Sequence, residues 1–163
     1  MIILVMLNLY ASDLGNADPL EVIDSTPGKL AELARKLGKD KIDRSPAPGK
    51  WSPREVFCHL ADFETVCAFR LRQTLAEPHY VIQTYDHDAW AKIYSAYDAE
   101  LALAMFSALR RWNVALFHSV SEADRAKPVT HPERGTMTLS TIFETMAGHD
   151  IHHLQQLEKI AAA

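Results

Sequence analysis

The chain has 163 residues, of which 48% are hydrophobic, 23% are charged and two, Cys58 and Cys67, are cysteines. This length suits one domain that buries roughly two-thirds of its unfolded surface, so disulfides are not needed, and we expect reduced, buried thiols in a cytoplasmic protein. The net charge of −4 lacks the basic excess typical of nucleic-acid binding, and the mean hydropathy of −0.12 is that of a soluble globular protein.

The chain begins with an apolar run, Met1–Leu7, which Asn8 and Asp13 interrupt. A transmembrane helix needs about 20 apolar residues, and a signal peptide begins with a basic region that is missing here. A short strand, a fraying apolar start and a start codon at Met6 remain open. We therefore interpret residues 1–17 as an apolar, irregular extension of one domain that spans residues 1–163.

The first helix is predicted from Asp18 to Gly38. Asp18 is a plausible N-cap before Pro19, and the apolar residues that follow mostly have helical spacing. Glycine is typical of the position just beyond a helix, so Gly38 is predicted to end it. The Pro27-Gly28 pair predicts a kink or a local break.

The second helix is predicted from a capping box. Ser52 supplies the N-cap, a proline follows at the first helical position, and Glu55 supplies the carboxylate. This helix should reach about Leu75. The third should run from about Asp88 to Val120, with an irregularity near residues 97–98.

Residues 121–137 contain two prolines and a glycine and are predicted to be irregular, and Thr138 then caps a fourth helix that reaches about Ile160. Four amphipathic helices without a strong strand signal predict an all-α four-helix bundle. The connections at 38–51 and 76–88 are longer than minimal bundle turns, so a crossover connection is compatible with the sequence.

Three of the eight histidines lie close together in Gly148–His153 (GHDIHH). At about 100° per residue, His153 lies about 40° from His149 on a helix, whereas His152 lies about 60° to the other side. The apolar residues of this helix share the side of His149 and His153. We predict that these two face the core and that His152 lies at the edge of the buried stripe.

His59 points inward by the same argument, because Val56, Phe63 and Val66 lie within about 60° of it on the second helix. Two histidines four residues apart, with a third from a facing helix, can hold one metal ion and leave a position open for water or substrate. The alternative is that the imidazoles are structural and bind no metal. Three buried imidazoles would then need three sets of polar partners, so the pattern favours a metal site.

Two parts of the sequence resemble motifs of the DinB/YfiT-like family. Trp51–Glu64 (WSPREVFCHLADFE) is similar to the helix-two motif, and His131–Leu139 (HPERGTMTL) with Ala147–Leu157 (AGHDIHHLQQL) is similar to the C-terminal motif. A looser resemblance covers nearly the whole chain. It implies a four-helix metal-binding bundle, often dimeric, with one zinc or nickel ion on three histidines. By position in the motifs these are His59, His149 and His153.

The resemblance also implies a range of chemistry. The family includes metal-dependent hydrolase-like proteins and transferases that act with low-molecular-weight thiols. We therefore expect one divalent metal ion that activates water or a thiol for hydrolysis or group transfer on a small-molecule substrate. The alternative is a non-enzymatic, stress-linked module that binds a metal or ligand. A homodimer is expected, with no nucleic-acid or membrane partner.

Three other side chains on these helices are candidates for a place beside the metal. Asp62 could accept the ring N–H of a ligand histidine, or be a solvated carboxylate. His152 could support the site, although an edge histidine in contact with solvent is favoured. Gln156 matches a glutamine of the family motif and could bond near a metal-bound water, or pack at the edge of the core.

The remaining polar residues receive structural interpretations. Glu64 and Asp150 point away from the predicted ligands on their helices, which favours surface positions. Asp86 is predicted to be an N-cap. His131 lies in the loop before the fourth helix, where a turn is favoured over a place at the mouth of the site.

Overall fold

The computed structural model describes residues 7–163, so the predictions for residues 1–6 lie outside the described part. The structure is 69% helical. Its elements in chain order are α1 (Ala11–Leu14), α2 (Pro19–Ile42), α3 (Pro53–Ala76), α4 (His87–Ala91), a 3-10 turn (Tyr94–Ala96), α5 (Ala99–Ser119), α6 (Glu122–Arg125), β1 (Pro128–His131), β2 (Gly135–Thr138) and α7 (Leu139–Ala162).

Helix α2 begins as predicted, because the Asp18 carboxylate accepts the backbone N–H groups of Leu20 and Glu21. The helix runs through Pro27 without a break. Proline has no N–H for the carbonyl four residues earlier, and that carbonyl, of Ile23, instead accepts a hydrogen bond from Arg110 Nη1 at 2.9 Å. Gly38 adopts φ 61° and kinks the helix, which continues to Ile42.

The other helix starts follow the predicted caps. Ser52 and Glu55 form the capping box of α3, and Asp86 caps α4 by accepting two backbone N–H groups. The predicted third helix is divided: α5 starts after Asp98, whose side chain accepts the N–H of Leu101. The irregularity expected near residues 97–98 is therefore a full break between two helical segments.

A short antiparallel hairpin lies in the segment that was predicted to be irregular. Strands β1 and β2 pair Val129 with Met137, and both side chains are buried. Four-residue strands carry too little alternation to be recognised in the sequence. Thr138 follows the hairpin directly and caps α7, as predicted.

The four long helices form the predicted four-helix bundle, but chain neighbours do not all lie side by side. Helix α2 packs mainly against α7 and α5, and α3 packs against α5 and α7. The order around the bundle is therefore α2, α7, α3, α5. Successive helices α2 and α3 lie on one diagonal, and their connection crosses the end of the bundle, so the simple up-down-up-down ring is not used.

A polar layer divides the core of the bundle in two. One apolar cluster includes Phe57 and Leu157, and the other includes Leu71 and Phe143. Buried polar and charged side chains lie between the clusters on all four long helices. Within residues 7–163, no helix has the length and apolar character needed to cross a membrane.

Candidate metal centre

Helices α3 and α7, which pack side by side, carry the three histidines predicted as ligands. His59 lies in the first two turns of α3, and His149 and His153 lie one turn apart in the middle of α7. All three side chains are buried. One ligand nitrogen from each lies within 4.8 Å of the others, so the structure brings the three imidazoles together.

The two imidazoles at the centre of the cluster, His59 and His149, make only part of their possible hydrogen bonds. His59 Nε2 lies 2.9 Å from His149 Nε2, so one neutral ring donates its N–H and the other accepts. The Nδ1 atoms of both rings are buried and have no hydrogen-bond partner within residues 7–163. Buried polar atoms without partners are costly and call for an explanation. The donor set, three imidazole nitrogens from two facing helices, fits one divalent metal ion.

The third imidazole is oriented by a neighbouring amide. His153 Nδ1 lies 2.8 Å from Gln156 Oε1. Because an amide oxygen only accepts hydrogen bonds, Nδ1 carries the proton and donates it. The lone pair of His153 is therefore on Nε2, the nitrogen that remains available for a metal.

Burial keeps all three imidazoles neutral. Desolvation lowers the pKa of His59 to about 3 and the pKa of His153 to about 4. The pKa of His149 is also well below its usual value, first because of burial and then because of the neighbouring His153 and His59 rings. Neutral imidazole is the form that binds metal, so no proton has to be displaced at neutral pH.

Aromatic side chains surround the cluster. Phe63 stacks on His149 with ring centroids 3.8 Å apart, and Trp51 lies 4.9 Å from His59. Tyr10 approaches His149 edge-on at 5.1 Å. These rings exclude water from the sides of the imidazoles and hold their planes in place.

A cavity of about 500 Å³ opens from the histidine cluster. Its walls come from α3, α7, the hairpin turn, the residues before and at the start of α4, and the segment before α1. A cavity of this size accommodates a small-molecule ligand. The polar and charged residues that line it beyond the cluster include Arg70, Asp86, His87, His131, Glu133, Arg134 and His152.

Comparison with known proteins identifies the family. A family model for the DinB superfamily matches residues 23–157. The chain belongs to the DinB superfamily. A protein of Oceanobacillus iheyensis named "Putative metal-dependent hydrolase" is 29% identical over 139 residues, which are 85% of this chain and 81% of the relative. A Bacillus mycoides protein with the same description is 26% identical over 142 residues, covering 86% of this chain and 82% of the relative.

A solved structure shows the same architecture. YfiT from Bacillus subtilis, described as a probable metal-dependent hydrolase with an unusual four-helix bundle topology, matches with a TM-score of 0.82 at 23% identity. The match covers 88% of this chain and 84% of YfiT. At this identity the comparison shows a shared fold, and it confirms the DinB-type bundle that the two sequence motifs predicted.

The three secondary candidates occupy different places in this DinB-type bundle. Gln156 contacts His153 directly, as described. His152 lines the cavity with its side chain half exposed, and its Nδ1 lies 3.5 Å from Asp13 Oδ1. Asp62 lines a separate cavity between α3 and α5, and no hydrogen bond joins it to the three histidines within the described residues.

The segment before α2 contributes more to the site than an irregular extension would. Residues 11–14 form α1, which packs on α7, and Leu9 and Tyr10 line the cavity. Gly148 permits this contact, since a Cβ atom there would collide with the Tyr10 carbonyl oxygen and lie 2.6 Å from Tyr10 Cβ. The signal in the sequence was a glycine directly before His149.

The surface positions predicted for Glu64 and Asp150 are wrong. Both carboxylates are fully buried and bind the guanidinium of Arg110, with Arg110 Nη2 at 2.8 Å from Glu64 Oε2 and 3.1 Å from Asp150 Oδ1. Each bundle helix packs on two neighbours, so its buried arc is wider than the stripe that carries the histidines. A side chain that turns away from the ligands therefore still lies inside the bundle.

The two cysteines are buried, as predicted, and burial raises the pKa of the Cys58 thiol to about 11 and also raises that of Cys67. His131 ends β1 at the hairpin turn, which was the favoured prediction, and it also lines the cavity, which was the alternative. Two charged cavity residues, Arg70 and Arg134, were not recognised as candidates. Arg70 carries a usable signal, because it follows His59 by 11 residues and so lies about 20° from it on α3. No feature of the sequence identifies Arg134 as a cavity residue.

Proposed function

We propose that this DinB superfamily protein is a metal-dependent hydrolase that holds one divalent ion on His59, His149 and His153. The observation that carries the proposal is the convergence of three buried, neutral imidazoles within 4.8 Å at the wall of a small-molecule cavity. The descriptions of the Oceanobacillus and Bacillus relatives as metal-dependent hydrolases support the reaction class.

Three protein ligands are typical of catalytic rather than structural metal sites, because a further coordination position stays open. A divalent ion bound there would polarise the electrophile of the substrate and activate water. We propose zinc or nickel, since both accept imidazole ligands.

The side chains around the site have separable roles in this proposal. Gln156 holds His153 Nδ1 protonated, so that its Nε2 faces the cluster. Phe63 and Trp51 pack against the imidazoles and keep bulk water from their sides. Burial raises the pKa of both cysteine thiols, which disfavours a thiolate at either position, and neither cysteine belongs to the histidine cluster.

Metal content is the first test. Inductively coupled plasma mass spectrometry of untagged protein should find about one zinc or nickel ion per chain. His153→Ala should lose this ion, whereas His118→Ala, at an exposed position on α5, should retain it. An equal metal content in the two variants, or no uptake of zinc, nickel or manganese by the wild type, would contradict the proposal.

Activity is the second test, on a panel of esters and amides with and without a chelator. Hydrolysis that chelation abolishes and the metal restores is the expected result. The same panel should be run with and without a low-molecular-weight thiol. A strict requirement for the thiol would replace hydrolysis with thiol transfer, and metal binding without turnover would instead favour a non-enzymatic module.

A further inference from the structure

Two arginines, Arg70 and Arg134, line the same cavity as the histidine cluster and have no acidic partner among residues 7–163. Arg70 Nε is buried without a hydrogen-bond partner, and the guanidinium bonds the Gln83 carbonyl oxygen at 3.3 Å. Arg134 Nη2 lies 2.7 Å from His131 Nε2. Neither guanidinium lies within 4.0 Å of a carboxylate in residues 7–163, and residues 1–6 contain no acidic side chain.

Two other arginines of the protein are paired with carboxylates. Arg110 binds two buried carboxylates, and Arg54 binds Asp43 at 2.7 Å. Partial burial and the nearby charge of Arg70 lower the pKa of Arg134, and both arginines also lower the pKa of His131. Two like charges held close together in a cavity are unfavourable unless an anion joins them.

The acidic residues of the cavity do not supply that anion. The Asp86 carboxylate accepts the backbone N–H groups of Asp88 and Ala89 as the cap of α4. Glu133 is exposed at the hairpin turn and makes no ion pair with either guanidinium within the described residues. The donor-rich part of the cavity is therefore free to receive an external acceptor.

Arg70 is aligned with the metal centre. It lies about 20° from His59 on α3 and about 16 Å further along the helix axis, and helical side chains lean towards the N-terminus, which is the direction of His59. A small molecule in the cavity can therefore contact the histidine cluster at one end and the two guanidinium groups at the other.

We propose that Arg70 and Arg134 form an oxyanion subsite, so that the substrate is a small organic anion whose carboxylate or phosphate binds the two arginines while its reacting group lies at the metal. Arginine is suited to this role because its planar fork donates paired hydrogen bonds to carboxylate and phosphate oxygens. The assignment of a substrate rests on the proposed hydrolase function, whereas the binding of an oxyanion does not.

The test is a titration of the full chain followed by NMR, with and without its metal, using acetate, inorganic phosphate and acetamide as probes. Acetate or phosphate should shift the Nε–H resonances of Arg70 and Arg134 saturably in both forms, and neutral acetamide should not. Binding to each variant is followed at the arginine that it retains. A difference between acetate and phosphate identifies the type of oxyanion. Arg70→Gln and Arg134→Gln should each weaken binding about tenfold or more, since each removes a charged donor.

Arg111→Gln, at an exposed position on α5, is the matched control and should bind the probes as the wild type does. Arg134 lies in a hairpin turn, where a substitution disturbs folding least. Arg134→Gln therefore still tests the proposal if Arg70→Gln does not fold. Equal binding by both arginine variants and the wild type, equal binding of acetamide, or no saturable binding would overturn the subsite. Metal content in the same variants should stay unchanged, so a failure of the metal proposal is distinguished from a failure of this one.

Discussion

One nitrogen of the His153 imidazole is occupied by Gln156 Oε1, and this contact determines which nitrogen is left for a metal. Loss of such a partner typically lowers metal affinity about 10–100-fold. Gln156→Ala should show a loss of this size in a competition titration with a chromophoric chelator. Gln156→Glu keeps an acceptor at this position and should restore most of the affinity.

The neighbouring Gln155 is exposed and provides the matched control. Gln155→Ala should bind metal as tightly as the wild type. If Gln155→Ala and Gln156→Ala had the same metal affinity, the orientation of His153 would not depend on Gln156.

For individual residues, the sequence correctly predicted the inward faces of the three histidines but not the burial of Glu64 and Asp150. Helical phase placed His59, His149 and His153 on inward faces, and the structure brings these side chains together, although their role as ligands stays a prediction. Phase could not show that Glu64 and Asp150 share a buried arginine, because it gives angles on one helix and not the identity of the helix that faces each angle.

At the scale of elements, Arg110 joins all four long helices. From α5 it donates to the Ile23 carbonyl oxygen on α2, Glu64 on α3 and Asp150 on α7. Glu64 and Asp150 lie on the helices that carry the histidines, so this network fixes α3 and α7 relative to each other. Removing one partner of a buried ion pair leaves an uncompensated charge, which costs about 3–5 kcal/mol.

Arg110→Ala should therefore lower the free energy of unfolding by about 3–5 kcal/mol, measured by urea denaturation. Arg111→Ala, one residue further along α5 and exposed, should change it by less than about 0.5 kcal/mol. Equal stabilities of the two variants would show that the buried network does not stabilise the bundle.

Two helical glycines provide a second test at this scale. Gly28 lies on the exposed face of α2 with open space around it, so Gly28→Ala should stabilise the protein by about 0.5–1 kcal/mol through helix propensity. Gly148→Ala makes the same chemical change on α7, but the added Cβ collides with the backbone of Tyr10. We expect this variant to be destabilised and its α1 segment to be displaced from α7.

Hydrogen exchange distinguishes these outcomes. Faster exchange at residues 11–14 in Gly148→Ala, with α7 still protected, is the expected result, and Gly28→Ala should match the wild type there. Unchanged protection of α1 in Gly148→Ala would show that the contact between Tyr10 and α7 tolerates a side chain.

For the whole molecule, the sequence predicted the four helical regions and the caps of α2, α3, α4 and α7, but not the division of the third region or the order α2, α7, α3, α5 around the bundle. Periodicity shows that a helix has a buried face, whereas the choice of neighbours depends on side-chain shape and on pairs such as Arg110 with Asp150, which are distant in the chain. The cavity could not be predicted from periodicity either, because its walls come from segments that are spread along the chain between Leu9 and His153.

The acid sensitivity of the metal-free protein is a property of the whole fold, because it compares the native state with the unfolded chain. In the native state the pKa values of His59 and His153 are about 3 and about 4, whereas an unfolded histidine has a pKa of about 6.5. Between pH 4 and 6.5 the unfolded chain binds more protons, so acidification favours unfolding. From pH 7 to pH 5 we expect the free energy of unfolding to fall by about 2 kcal/mol for each of these histidines.

Urea denaturation in the presence of a chelator, at pH 5, 6 and 7, measures this loss. His153→Gln removes one of the buried imidazoles. Its free energy of unfolding should therefore fall by about 2 kcal/mol less than that of the wild type over the same pH range. His118→Gln, at an exposed position, should retain the wild-type dependence. If the stability of the wild type did not change with pH, or if both variants followed it, burial would not be what keeps these imidazoles neutral.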